Sequence, residues 1–185
     1  MVEVLSGLSF EFVFLKDLEI EDGDFVEDGE TFEENAFKKA KYYAEKTGMI
    51  ALGEDSGILV DALPGELGVM TRRWGAGEKA NDQEWMDFFM ARMEGEAQRG
   101  AHFICNACLY LDGEKYHFEG DTRGIIAKEL QGPVKEGIPL SAVFMPLGMD
   151  RVYSALSEEE KAAVSHRGKS LNKVRDFLAS LDADQ

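Results

Sequence analysis

Three acidic side chains, Glu34, Glu54 and Asp55, are the first candidates for chemistry. Glu54 and Asp55 stand side by side in IALGEDSGIL, residues 50–59, between two apolar runs. Adjacent carboxylates repel each other, and burying them unpaired is costly. A divalent cation would remove that repulsion. Magnesium suits carboxylate oxygens and leaves room for waters and substrate phosphates. Ser56 and Gly57 add a hydroxyl and an approachable backbone beside the acids. Basic residues supply the complement: Arg72 and Arg73 after the PGELGVM stretch, and Lys161, His166 and Arg167 near the C-terminus. Guanidinium groups bind phosphate bidentately. Acids for a metal and cations for phosphate are the equipment of a nucleotide-phosphate hydrolase. A plainer reading stands beside this one, in which the acids form a solvated turn, Glu34 caps its helix and the cations are surface charge. Neither a P-loop pattern nor a dinucleotide glycine fingerprint occurs.

Composition bounds these readings. The chain has 185 residues, 44% of them hydrophobic, which is enough for a real core. The formal net charge of −16 disfavours a nucleic-acid or anionic-membrane partner. It leaves room for a small phosphorylated ligand met by local cations. No apolar run reaches the length of a membrane span, and Met1-Val2-Glu3 does not open a signal peptide, so a cytoplasmic protein is expected. Cys105 and Cys108 have C-x-x-C spacing, but no second pair completes a zinc site. Their stretch reads as a strand, so both are expected to be reduced packing thiols.

The elements that must position these residues follow from periodicity. FEFVFL, residues 10–15, reads as a strand, followed by an acidic loop over residues 19–30. A helix is expected from Thr31, with Glu34 completing a capping box, Phe32, Ala36, Ala40, Tyr43 and Ala44 as its apolar stripe, and Gly48 as its stop. MIALG and ILVDAL read as two short strands around the acidic pair. An amphipathic helix is expected after Asn81. The clearest hairpin turns at Asp112-Gly113. A loop rich in Gly and Pro leads to a short strand AVFM, residues 142–145, and Ser157 caps a single C-terminal helix whose second half is basic. Hairpin and crossover connections together predict an α/β fold with a mixed sheet.

TFEENAFKKA, EDSGILVDALPGELGV with its following TRRW, and EEKAAVSHRGKSL occur in one order over nearly the whole chain. In this the sequence resembles the inosine triphosphate pyrophosphatase family, whose members hydrolyse non-standard purine nucleoside triphosphates to monophosphate and pyrophosphate. The resemblance implies a long mixed sheet flanked by helices, two lobes with the substrate cleft between them, and a homodimer. It implies one two-lobed domain over residues 1–185. It makes Glu34 and Asp55 magnesium ligands, with Glu54 as the third acid of the metal site, and Asp55 the general base for water. It gives Ser56, Arg73, Lys161, His166 and Arg167 to the substrate, the last two near the base.

Three positions depart from the family pattern. The family's first strand and its Ser/Thr-Gly-Asn-x-x-Lys phosphate loop have no counterpart, Met1 falling where the first helix is expected. Glu54 stands where the family has Asp. Ile138-Pro139-Leu140-Ser141 replaces Phe-Gly-Tyr-Asp, so Ile138, Leu140 and Ser141 become the base-pocket loop. The expected activity is magnesium-dependent hydrolysis of ITP, XTP and dITP. The alternative is a catalytically impaired nucleotide-binding or regulatory protein of the same fold.

Overall fold

In a computed structural model of the chain, the described residues are 4–18, 20, 25–77 and 79–183. Their sheet has four strands in the order β1-β2-β3-β4: β1 Ala51–Val60, β2 Gly100–Leu111, β3 Glu114–Ile126 and β4 Phe144–Pro146. Four helices accompany it: α1 Phe32–Thr47, α2 Asp82–Arg92, α3 Glu158–Val164 and α4 His166–Ala183. The α/β class expected from the sequence is the class observed. Among the described residues every strand pair is antiparallel. A short connection imposes this pairing on β2 and β3. Asp112 and Gly113 both adopt the left-handed region, at φ 52° and 85°, which is the geometry of a two-residue hairpin turn. Just past the end of β1, the Asp61 N–H donates to the carbonyl of Gly100, the first residue of β2, at 2.9 Å.

The chain forms two compact units. The first is Met1–Asp55, Cys105–Gly120 and Arg167–Gln185; the second is Ser56–Ile104 and Asp121–His166. In the first, alternation along the strands divides the packing. Leu52, Ala107 and Leu109 face Val174 and Leu178 of α4, whereas Cys108 and Tyr110 face Ala36 and Ala40 of α1. In the second, Trp85, Met86 and Phe89 of α2 pack with Ile58, Ile126 and Phe144.

Several sequence expectations need correction. MIALG and ILVDAL are not two strands around a turn, since β1 runs unbroken through Glu54 and Asp55. FEFVFL is not a strand. Residues 10–14 are irregular, with Phe12, Val13 and Phe14 exposed, and a short 3-10 helix covers Leu15–Leu18. The Asp17 carboxylate accepts the Phe14 N–H at 3.2 Å, which turns the backbone locally instead of leaving it for a sheet. Part of the acidic loop, residues 19 and 21–24, lies outside the described residues, as does the expectation placed on Met1. The short strand AVFM begins later, at Phe144, because Pro139–Ala142 forms a 3-10 helix. The C-terminal helix is two helices. Ser165 is extended at φ −62° and ψ 121°, and the Val164 carbonyl accepts from the Thr122 hydroxyl instead of continuing the helix.

Candidate active site

Because successive strand residues point to opposite faces, Glu54 and Asp55 do not share a site. Glu54 follows Leu52 toward α4. Its Oε2 accepts from Arg167 Nε at 2.7 Å and from Cys105 Sγ at 3.3 Å. Asp55 follows Gly53 toward α1, where its Oδ2 accepts from Asn35 Nδ2 at 2.9 Å. The expected repulsion between neighbouring acids is thus relieved by divergence and by separate partners.

Gly53 sets the α1 side. A Cβ there would lie 2.4 Å from the Ala36 carbonyl and 2.7 Å from the Ala40 nitrogen, so glycine is required for this approach. The close seat brings Asn35 within reach of Asp55. Asn35 is 1% exposed, and its Oδ1 accepts the Gly29 N–H at 2.7 Å. That bond fixes which end of the amide carries the donor, and the donor faces Asp55. Sequence reasoning missed Asn35. The signal was there: it is the polar residue three positions after Phe32, on the stripe that buries Phe32, Ala36, Ala40 and Tyr43.

Glu34 precedes Asn35 in the first turn of α1. Thr31 Oγ1 caps the helix by accepting the Glu34 N–H at 3.1 Å. The reciprocal half of the expected capping box is displaced by one residue, since the Glu34 carboxylate accepts the Glu30 N–H at 2.9 Å. That bond, and Lys38 Nζ at 3.1 Å, hold its carboxyl below the usual range. Lys39 Nζ donates to the Glu54 carbonyl at 3.1 Å, bringing positive charge to the β1 backbone.

Among the described residues, no group of three or more His, Cys, Asp or Glu side chains could hold a metal ion by itself. Magnesium does not need one, because it commonly takes one or two carboxylates and completes its shell with waters and phosphate oxygens. Asp55 and Glu34 offer carboxylates of that kind on the α1 side, each with a present partner, whereas the Glu54 carboxylate leaves β1 toward α4 and Arg167. Both cysteines are free and buried. Burial, with Glu54 adding to it, pushes the Cys105 thiol up to about 12, and burial pushes Cys108 up to about 11. They are protonated packing thiols, as the sequence suggested, although Cys105 also donates to Glu54.

The N-terminal half of α4, which carries Arg167, is pinned to β3. The Ser170 hydroxyl and Lys173 Nζ donate to the Phe118 and Glu119 carbonyls, each at 2.7 Å.

The remaining candidates belong to the second unit. Ser56 and Arg73 are half-buried. Thr71 ties the turn before Arg73 to β1, accepting the Ile58 N–H at 3.2 Å and donating to the Gly68 carbonyl at 2.5 Å. Lys161 Nζ donates to Glu158 at 2.7 Å, and that hydrogen bond raises the lysine's pKa; Lys161 in turn lowers that of Lys135. The His166 ring stacks on Phe103 with centroids 5.1 Å apart and planes 18° apart. Phe103, a second residue that sequence reasoning missed, is held edge-on against Phe144 at 4.7 Å. Leu140 and Ser141 are each 3% exposed and belong to the interior, so of the three base-loop residues only Ile138, 51% exposed, presents its side chain to solvent.

An antiparallel α/β sheet that holds carboxylates and cations in fixed register is the class of protein these features define. A sequence model described as the Ham1 family matches residues 1–177, and the chain belongs to that family. A dITP/XTP pyrophosphatase of Streptomyces avermitilis is 40% identical over 161 residues, covering 85% of this chain and 79% of the relative. One from Clostridium perfringens is 35% identical over 188 residues, covering 97% and 90%. Among solved structures, a HAM1 protein from Coxiella burnetii aligns with a TM-score of 0.87 at 32% identity, over 96% of this chain and 90% of that one. The Staphylococcus aureus Ham1 protein aligns with a TM-score of 0.78 at 32% identity, over 86% and 82%.

Proposed function

We propose that this chain is a nucleoside triphosphate pyrophosphatase that converts ITP, XTP and dITP to the monophosphate and pyrophosphate. The observation that carries the reading is the Asp55 carboxylate, held by a buried amide whose own orientation is fixed by a backbone bond. The names of the relatives, dITP/XTP pyrophosphatase, support the choice of substrate. A bound magnesium ion would be held by Asp55 and Glu34 and would supply charge neutralisation at the phosphates. Asp55 orients the attacking water and accepts its proton. Arg73 and Lys161 meet phosphate charge, and Ser56 donates a hydrogen bond to the nucleotide. Arg167 and His166 face the base and donate to a 6-oxo group, which favours ITP and XTP over ATP. The chemistry rests on positioning and on preset charge, with no protein nucleophile.

With Leu140 and Ser141 buried, the base loop offers Ile138 alone, and an apolar contact discriminates weakly between similar ligands. The preference for 6-oxo purines therefore falls on the His-Arg pair. No described helix is long and apolar enough to cross a membrane. The setting proposed is the cytoplasm, the assembly a homodimer, and the charge of −16 argues against a nucleic-acid partner. The test is pyrophosphate release from ITP in magnesium by the wild-type protein and by Asp55→Asn. A fall of about a hundredfold or more in kcat is expected in a protein that still folds cooperatively, the substituted amide keeping an acceptor for Asn35. Near-full activity of Asp55→Asn removes Asp55 from the mechanism.

A further inference from the structure

The least expected contact in the first unit joins Glu54, in the middle of β1, to Arg167 at the start of α4. The two are 113 positions apart in sequence, yet Glu54 Oε2 accepts from Arg167 Nε at 2.7 Å. The same oxygen accepts from Cys105 Sγ on the neighbouring strand. A carboxylate oxygen that takes an arginine and a thiol donor together is fixed in direction from two sides. Its side chain is 24% exposed, so the pair is partly shielded from water, where charge-assisted bonds keep more of their strength. Arg167 is 45% exposed: one edge of its guanidinium meets Glu54, while the side chain as a whole still reaches solvent. The guanidinium is planar with five N–H donors in a fixed fork. A bond at Nε therefore sets the plane in which the two Nη groups lie.

We propose that Glu54 is a positioning residue for Arg167, and through it for the choice of base, rather than a ligand of the catalytic metal. The proposal rests on the function given above only in assigning the base to Arg167. Two observations stand against a metal role. Glu54 and Asp55 leave β1 toward different helices, α4 and α1. A metal bond through the same oxygen would also have to displace Arg167 and Cys105. The departure from the family pattern, Glu for Asp, then has a physical sense: the longer arm is the one seen spanning to Nε of Arg167.

The test compares wild type with Glu54→Gln, which keeps the shape and removes the charge, and with Cys105→Ser, which keeps a donor. Three readouts separate the possibilities. The Arg167 Nε–Hε resonance in nitrogen-15 NMR reports the pair directly. Calorimetric binding of IMP and AMP without metal reports base selection. The half-saturating magnesium concentration in ITP hydrolysis reports the metal. For Glu54→Gln the Arg167 resonance shifts and exchanges faster. The IMP-over-AMP preference falls roughly tenfold, the scale of one charge-assisted hydrogen bond. The magnesium requirement stays within about twofold, since no metal bond is lost. Cys105→Ser keeps most of the preference. An intact preference with a magnesium requirement raised about tenfold or more would make Glu54 a metal ligand and overturn the proposal. So would a variant unchanged in both, or a wild-type protein that binds IMP and AMP alike. Wild-type protein that prefers IMP but releases no pyrophosphate refutes the proposed reaction and leaves this inference standing.

Discussion

Replacing Asn35 tests how the candidate base is held. The amide is 1% exposed and makes two bonds, accepting from Gly29 N at 2.7 Å and donating to Asp55 Oδ2 at 2.9 Å. The first is a neutral bond worth about 1 kcal/mol, and the second, to a carboxylate, about 1.5–3 kcal/mol. Asn35→Ala removes both and predicts a loss of roughly 2.5–4 kcal/mol. At about 2–4 °C per kcal/mol for a chain of this size, the unfolding temperature falls by roughly 5–16 °C. Asn35→Asp is the sharper variant. It keeps the acceptor for Gly29 but turns the donor facing Asp55 into a second carboxylate, so attraction becomes repulsion. Its expected signature is a loss of stability at least equal to that of Asn35→Ala, since a second buried carboxylate is set against Asp55, with a fall in kcat of about a hundredfold, because a displaced catalytic group costs on that order. Thermal unfolding followed by circular dichroism, with pyrophosphate release from ITP, measures both. An Asn35→Asp protein equal to wild type in unfolding temperature and kcat would refute the claim that Asn35 holds Asp55.

Other consequences follow from the same packing. Gly53→Ala drives a methyl group into the α1 backbone at the Ala36 carbonyl and should cost about 1–3 kcal/mol; an unfolding midpoint in urea equal to wild type refutes the close seat. His117 lies edge-on to Phe37 and 3.6 Å from Glu33. Burial, opposed by Glu33, holds its pKa below the usual imidazole value, so the unfolded chain takes the proton first. Stability is then full above about pH 6.5 and declines as pH falls below it, and His117→Gln should flatten that decline in urea titrations at pH 7.5 and 5.5. The homodimer is tested by sedimentation equilibrium across the micromolar range, where a monomer throughout refutes it.

Local signals were legible wherever one residue decides the backbone. Thr31 and Gly48, the latter left-handed at φ 71°, bound α1 as its sequence implies. Asn81 and Glu84 form the complete capping box of α2, and Ser157 with Glu160 that of α3. What escaped the sequence depends on distant partners. The break at Ser165 follows from Thr122, 42 residues away, taking the Val164 carbonyl. The acids of β1 looked like a turn because charge is unusual in a strand; here Arg167 and Asn35 accommodate them from opposite faces. The roles of Asn35 and Phe103 are visible only once α1 and His166 are in place. Candidate residues could thus be named from their types, but their division of labour required the register of one strand.

The most direct test of the account is the product formed from ITP by wild-type protein with magnesium. One IMP and one pyrophosphate per ITP turned over, at a kcat/KM above that for ATP, is the predicted result. Release of orthophosphate with IDP, or equal rates for ITP and ATP, would contradict it.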